Sequence, residues 1–316
     1  MLTIQEAIEA YATIARSEFK SEKTIAWVET SARSFERFVG ADVAVGDLGM
    51  EHVRGWIAAL RIQPRYADHP FAKRTTATVS PIAINTYVRG LKLLITTLVR
   101  SDVLRGHPLE RIRPPKAPQL TIQPYSHEQM HAILEAVSTG MNPLRDRAMV
   151  ALSLDSCLRR SELLGLSGGD VDLQGRQLTV MGKGQKQRVV PFGVWANDQL
   201  TAYLRAERPS GSASYIWLTR NGLPLTVGGW QQVLRRVSRR VGWRVNAHAF
   251  RHTGAVMYVR NGGDPFRLQL LLGHSDLAMT RRYCAIADSD LRAVHKMASP
   301  GDRLAFPEGS WPGAPQ

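Results

Sequence analysis

Apolar residues recur every three or four positions through most of this chain, the period of helices that bury one face. Ile4, Ala7, Ile8, Tyr11, Ile14 and Ala15 share a face behind Thr3, with Glu6 completing a capping box. A second helix from Ser21 buries Ile25, Val28, Ala32, Phe35 and Val39 and stops at Gly40. A third, from Asp47 to Leu60, carries Val53, Trp56, Ile57 and Leu60. Residues 61–81 are rich in Pro, Thr and basic residues, have no period, and read as a loop. Ser80 and Pro81 open a fourth helix through Tyr87, Leu91, Leu94, Ile95 and Leu98. Residues 1–106 therefore predict a small all-α domain of about four helices.

The pattern then breaks. Residues 107–124 hold five prolines, which rules out a helix or a central strand and predicts an extended, basic linker. A second domain, 125–300, opens at Ser126 with Gln129 as capping partner, followed by a helix from Asn142-Pro143 through Leu154. Another helix is expected from Ser161. Residues 176–180 and 188–192 read as two strands about the turn MGKGQKQ, and 215–219 as a third strand before an Asn221-Gly222 turn. Trp230, Val233, Leu234, Val237 and Val241 mark a helix whose outer face holds Arg235, Arg236, Arg239 and Arg240. His248 and Arg251 share a face of the next helix, which stops near Gly262 and Gly263. Asp264 and Pro265 start a short one that stops at Gly273, with His274 just beyond its end. Tyr283 follows nine residues later, after a loop-like segment, so its placement is expected to depend on assembly. A closing helix begins near Asp288, with Leu291 and Val294 as candidate anchors on a neighbouring copy, and the Pro- and Gly-rich tail 301–316 is expected to be disordered. The fold class predicted is mainly α with a small antiparallel β-sheet: a helical N-terminal domain before an α+β domain.

Composition narrows the partners. Among 316 residues, 44% are hydrophobic and 22% charged, ordinary for a globular protein. The net charge of +14 favours a polyanion, nucleic acid before membrane. Lys73, Arg74, Arg89, Lys92, Arg113, Lys116, Arg235 and Arg239 are the candidate phosphate contacts. Cys157 and Cys284 are the only cysteines, which implies no disulfide framework and a reducing compartment. No apolar run approaches the ~18 residues a membrane span needs. The N-terminus lacks the layout of a signal peptide, so a cytoplasmic location is expected. No carboxylate cluster or Cys/His array suggests a metal, and no cofactor is expected.

The stretches CLRRSELLGL, GKGQKQRVVPF, HAFRHT and LLGHSD, closed by Tyr283, stand in the order found in the tyrosine recombinases, the phage-integrase and Xer group of site-specific DNA recombinases. Each match is weak alone; the order, spacing and element type together are specific. The resemblance covers residues 1–300. It implies that Arg159, Lys183, His248, Arg251, His274 and Tyr283 are catalytic and that Glu162 orients an Arg or His. Arg160 and Lys186 are neighbours that compete for two of these places. The spacing to Ser161-Glu162-Leu163 favours Arg159, and the flanking glycines favour Lys183. Cys157 departs from the family, which commonly has Gly there, and local repacking is expected.

The residue types suit the chemistry. Two guanidiniums can grip a pentacoordinate phosphorus, and a histidine can add a bond to a non-bridging oxygen. A tyrosine can conserve the phosphodiester bond energy in a covalent 3′-phosphotyrosine, so no ATP is needed. In this reading His248 assists the phenol proton, Lys183 protonates the leaving 5′ oxygen, and His252 is structural. The resemblance further implies double-stranded DNA as substrate, a tetramer on two sites and a Holliday junction, with accessory DNA-binding proteins left open. Two alternatives remain: a topoisomerase-like or telomere-resolving enzyme, and a non-enzymatic DNA-binding regulator.

Overall fold

The computed structural model of the chain describes residues 2–65, 76–116, 118, 123–182, 186–210, 214–274, 276–287, 295 and 299–301. It divides into two compact units between Leu120 and Thr121.

The first unit holds α1 (Ile4–Ser17), α2 (Glu22–Val39), α3 (Met50–Ile62) and α4 (Pro81–Arg100). Thr3, Ser21 and Ser80 each cap a helix through the side-chain oxygen, as the sequence predicts. The inward faces bury Ile8, Tyr11, Phe35, Trp56, Leu91 and Leu98 in one core. Each such side chain stabilises the fold by about 1.5–3 kcal/mol through area removed from water. Three local readings change. Asp47 closes a short 3-10 turn, Val45–Asp47, and α3 begins only after Gly49, whose N–H donates to His52 Nδ1 at 3.1 Å. The start of the expected linker is not free: Leu109 and Ile112, three apart, are buried in the core of this unit. Lys92 Nζ donates to the carbonyls of Glu110 (3.1 Å) and Ile112 (2.7 Å), and Asn85 donates to Pro115. Finally, α4 is long and apolar enough to cross a membrane by length and composition, contrary to the expectation that no run comes close. Its apolar face is instead part of the core.

The second unit begins with α5 (His127–Ser138), capped by Ser126 and Gln129, and α6 (Pro143–Asp155). A five-residue helix, α7 (Arg160–Leu164), leads to a three-stranded antiparallel sheet. Its strands are β1 (Val171–Asp172), β2 (Gln177–Met181) and β3 (Gln187–Pro191), with Thr179 opposite Val189 in the hairpin. The third strand is thus β1; residues 215–219 make only isolated bridges, Ser167 to Tyr215 and Leu218 to Pro224. Trp217 there points inward and donates from Nε1 to the Leu163 carbonyl at 2.7 Å. Next comes α8 (Val194–Ala206), a helix the sequence reading passed over although Ala196, Leu200 and Tyr203 recur at helical spacing and are buried. The unit continues with α9 (Val227–Val241), α10 (Ala247–Arg260), α11 (Pro265–Leu272) and α12 (Leu277–Ala287). The central α6 is buried nearly all round, in contact with α5, α8 and α10, so it lacks a polar face. The closing helix expected from Asp288, with Leu291 and Val294, and the tail from 302 lie outside the described residues.

Candidate active site

Four elements deliver the candidate side chains. Asn246 caps α10 through its side-chain oxygen. On that helix His248, Arg251 and His252 lie three and four positions apart, on one face. Asp264 and Pro265 start α11, and Gly273 ends it at a φ of +62°, a backbone shape that favours glycine and turns the chain so that His274 faces back. Arg159 stands at the N-terminal end of α7. Tyr283 sits on α12, buried with 3% of its surface exposed, in a pocket shared with Cys157, Val256 and Leu272. The loop-like segment expected before Tyr283 is therefore this helix, started by Asp276, whose carboxylate accepts the Ala278 N–H. Tyr283 is thus placed by a helix of its own chain, not by a loop.

The guanidiniums are fixed by backbone carbonyls. Arg251, 2% exposed, donates from Nη1 to the Cys157 carbonyl and from Nη2 to the Leu272 carbonyl, both at 2.8 Å. Arg159 donates from Nη2 to the Gly273 carbonyl at 3.1 Å. Both arginines thus meet carbonyls at the end of α11, where unpaired acceptors and the helix dipole favour cations. Arg251 Nη2 also lies 3.0 Å from His274 Nε2. A guanidinium only donates, so Nε2 accepts and the imidazole proton sits on Nδ1, directed at Thr280 Oγ1, 3.2 Å away.

Glu162 organises one side. It accepts from the Arg159 backbone N–H (2.8 Å), from Arg159 Nη1 (2.9 Å) and from both terminal nitrogens of Arg188 (2.9 Å each). Burial pushes this carboxyl up, but the hydrogen bonds from Arg188 and Arg159 outweigh it and hold the group below the usual carboxylate range. Arg188 was missed by the sequence reading. It lies on β3, donates weakly to the Leu271 carbonyl, and packs against Gly273, where a Cβ would come within 3.0 Å of its guanidinium carbon. One side chain thus ties the hairpin, the arginine at α7 and the end of α11 together. The signal was a basic residue in a strand that otherwise reads as apolar.

The remaining groups are pressed toward neutrality. Burial, then the neighbouring Arg251 and Arg159, lower His274 to about 4. Burial, then His248 and Arg251, lower His252 to about 4 as well. His248, at the exposed end of the row, shifts down for the same reasons. Arg251 falls to about 10 through burial and the nearby Arg159, and stays charged at neutral pH. Burial raises the Tyr283 phenol, and Arg251 offsets part of that rise. The phenol oxygen lies 2.8 Å from His252 Nδ1.

The structure therefore brings together Arg159, Glu162, His248, Arg251, His274 and Tyr283. Lys183 lies outside the described residues, as do Lys73 and Arg74. Arg89, Arg113, Lys116, Arg235 and Arg239 are exposed. Lys92 is not: its ammonium is committed to the two carbonyls named above. Arg240 has a structural duty too, closing the end of α5 through the Ala136 and Thr139 carbonyls. Among the described residues, no three His, Cys, Asp or Glu side chains stand where they could hold a metal ion.

Comparison with known proteins gives this geometry its context. The model of the phage integrase family matches residues 125–290. The tyrosine recombinase XerC of Mycobacterium sp. (strain KMS) is 32% identical over 276 residues, covering 84% of this chain and 87% of the relative. XerC of Mycobacterium tuberculosis (strain ATCC 25177 / H37Ra) is 33% identical over 264 residues, covering 80% and 84%. Among solved structures, the Tn1549 transposon integrase in complex with transposon right end DNA superposes with a TM-score of 0.70 at 18% identity, covering 93% of this chain and 98% of that one. A lambda integrase dimer bound to a COC′ core site also reaches 0.70, at 16% identity, covering 92% and 97%. These two share the fold. With the family model spanning more than half of the chain and the XerC relatives most of it, the chain belongs to the phage integrase family, among the site-specific tyrosine recombinases.

Proposed function

We propose that the protein cleaves and rejoins double-stranded DNA at a specific site through a 3′-phosphotyrosine on Tyr283, without metal or ATP. The observation that carries this is one cluster in which Arg251 and Arg159 are held by carbonyls at the end of α11, His274 meets Arg251, and His252 meets the Tyr283 hydroxyl. Three guanidiniums, Arg159, Arg188 and Arg251, against the one carboxylate of Glu162 leave net positive charge that suits an anion. A scissile phosphate would take hydrogen bonds from the donors left free on Arg159 and Arg251, and Glu162 keeps Arg159 aimed. His274 would release its Nε2 from Arg251 and, protonated in the field of the phosphate, donate to a non-bridging oxygen. Tyr283 passes its phenol proton to a neighbouring imidazole as its oxygen bonds to phosphorus; the P–O bond to the 5′ oxygen breaks, and that oxygen takes a proton from Lys183. The 5′ hydroxyl of a second strand reverses these steps, so the bond energy is conserved. Relatives that are recombinases and neighbours solved on DNA support the substrate class. By the same likeness two DNA sites are exchanged in a tetramer through a Holliday junction, in the cytoplasm.

A duplex nicked close to the cleavage point tests the reading, since loss of the short fragment traps the intermediate. The wild-type protein is expected to form a covalent adduct that a chelator leaves intact. Tyr283→Phe is expected to bind the same DNA and form none. Binding without any adduct would point to a regulator, and adduct formation on any sequence to a topoisomerase-like enzyme.

A further inference from the structure

We infer that His252, not His248, takes the phenol proton from Tyr283 during cleavage and returns it during rejoining, a reading that rests on the function proposed above. The geometry separates the two histidines. His252 Nδ1 lies 2.8 Å from the Tyr283 hydroxyl, and the rings are 5.6 Å apart. His248 stands one turn earlier on α10, is exposed, and meets His252 edge-on at 4.1 Å. It therefore stands outside His252, toward solvent, where it suits the DNA phosphate better than the nucleophile. The other ring beside Tyr283 is His274, at 6.3 Å and stacked, but its Nδ1 faces Thr280 and its Nε2 faces Arg251. Among the described imidazoles, only the ring of His252 has a nitrogen hydrogen-bonded to the nucleophile.

The surroundings suit the exchange. His248 and Arg251 on its own helix, Arg282 on α12 and His274 beyond α11 all oppose a charge on His252, so it rests neutral and able to accept. The charge of Arg251 offsets part of the rise that burial imposes on the phenol, and so favours its anion. An incoming phosphate supplies the negative charge that raises the imidazole's basicity, and the phenol grows more acidic as its oxygen bonds to phosphorus. The step balances: the Oη–H bond breaks and Nδ1–H forms, while Oη–P forms and the P–O bond to the 5′ oxygen breaks. That oxygen is protonated by its separate donor. On rejoining, Nδ1 gives the same proton back to Oη.

The test is the single-turnover rate of adduct formation by the full-length protein on a nicked duplex carrying its mapped cleavage site. His252→Asn keeps an acceptor near the place of Nδ1 but holds no proton, and His252→Phe keeps the ring's shape. Both are expected to slow cleavage by about 100-fold or more at unchanged DNA affinity, within the range general bases supply. The discriminating measurement replaces Tyr283 with a polyfluorinated tyrosine, whose phenol ionises far more readily. A proton acceptor is then no longer needed, and the loss in the His252 variants should shrink to about tenfold or less. A merely structural role would leave the deficit unchanged by fluorination. If the wild type forms adduct but both variants cleave within about threefold of it, or the deficit survives fluorination, the inference is wrong. Should His252→Phe fail to bind DNA, the Asn variant decides alone. Failure of the wild type itself to form adduct would instead sink the proposed function.

Discussion

Arg251 keeps its charge in the core of the site, while His252 and His274 beside it lose theirs, each lowered from an ordinary 6.5 to about 4. A guanidinium starts high enough to withstand burial, and an imidazole does not. Between about pH 6.5 and about pH 4 the unfolded chain binds protons that the folded chain excludes, so these histidines make stability fall as the pH is lowered through that window. Glu162 adds a separate loss, confined to acid below its ordinary 4.5, because its folded value is depressed. The expected outcome is a melting temperature that drops between pH 7 and pH 5, with the drop reduced in a His252→Asn, His274→Asn double variant. A melting temperature flat over that range would contradict the assignment.

The elements meet at small residues. Gly254 on α10 faces the end of α6; a Cβ there would fall directly on the Leu154 carbonyl oxygen and 2.8 Å from Cys157 Sγ. Cys157 itself has a φ of +52°, the left-handed backbone that glycine adopts most readily, which gives a physical reason for the family's usual Gly at that place. Its thiol is wholly buried, and the missing side chain of Gly254 makes room for it. The carbonyl of Cys157 then accepts from Arg251, one turn from Gly254. Gly254→Ala should therefore cost about 1–3 kcal/mol of stability through overpacking. Because α10 must shift to relieve the clash, adduct formation should fall further than the lost stability explains. Urea melts and single-turnover cleavage on the same preparation check both; normal cleavage by a stable variant would show that Arg251 does not depend on this contact.

For the whole molecule, the net charge of +14 governs how it approaches DNA rather than what it does there. The proposed binding should weaken steeply with salt, log affinity against log salt falling by about 0.9 for each phosphate neutralised. Arg235 and Arg239 are exposed on one face of α9. Each, changed to Gln, is expected to make the slope shallower by about 1 if it meets a phosphate. Lys92→Gln should instead lower the melting temperature, since its ammonium holds the carbonyls of Glu110 and Ile112. Fluorescence anisotropy between about 50 and 200 mM salt reads the slopes; an unchanged slope for Arg235→Gln removes it from the interface.

Local signals carried the helices because caps and apolar spacing act within one or two turns: Thr3, Ser21, Ser80, Ser126 and Asp264 each start a helix where the sequence says one begins. The order of motifs also pointed to the family that the comparisons show, and the resemblance singled out six residues that the fold brings together: Arg159, Glu162, His248, Arg251, His274 and Tyr283. Other features depended on contacts between residues far apart in the chain. Residues 215–219 look like a strand yet bury Trp217 without joining the sheet, and Leu109 and Ile112 pull a proline-rich segment onto the first core. Arg188 finds Glu162 across 26 positions, and His252 finds Tyr283 across 31. A local pattern specifies which residues share a helix face. Which partner that face meets, and so which histidine touches Tyr283, is decided only when α10, α11 and α12 pack together.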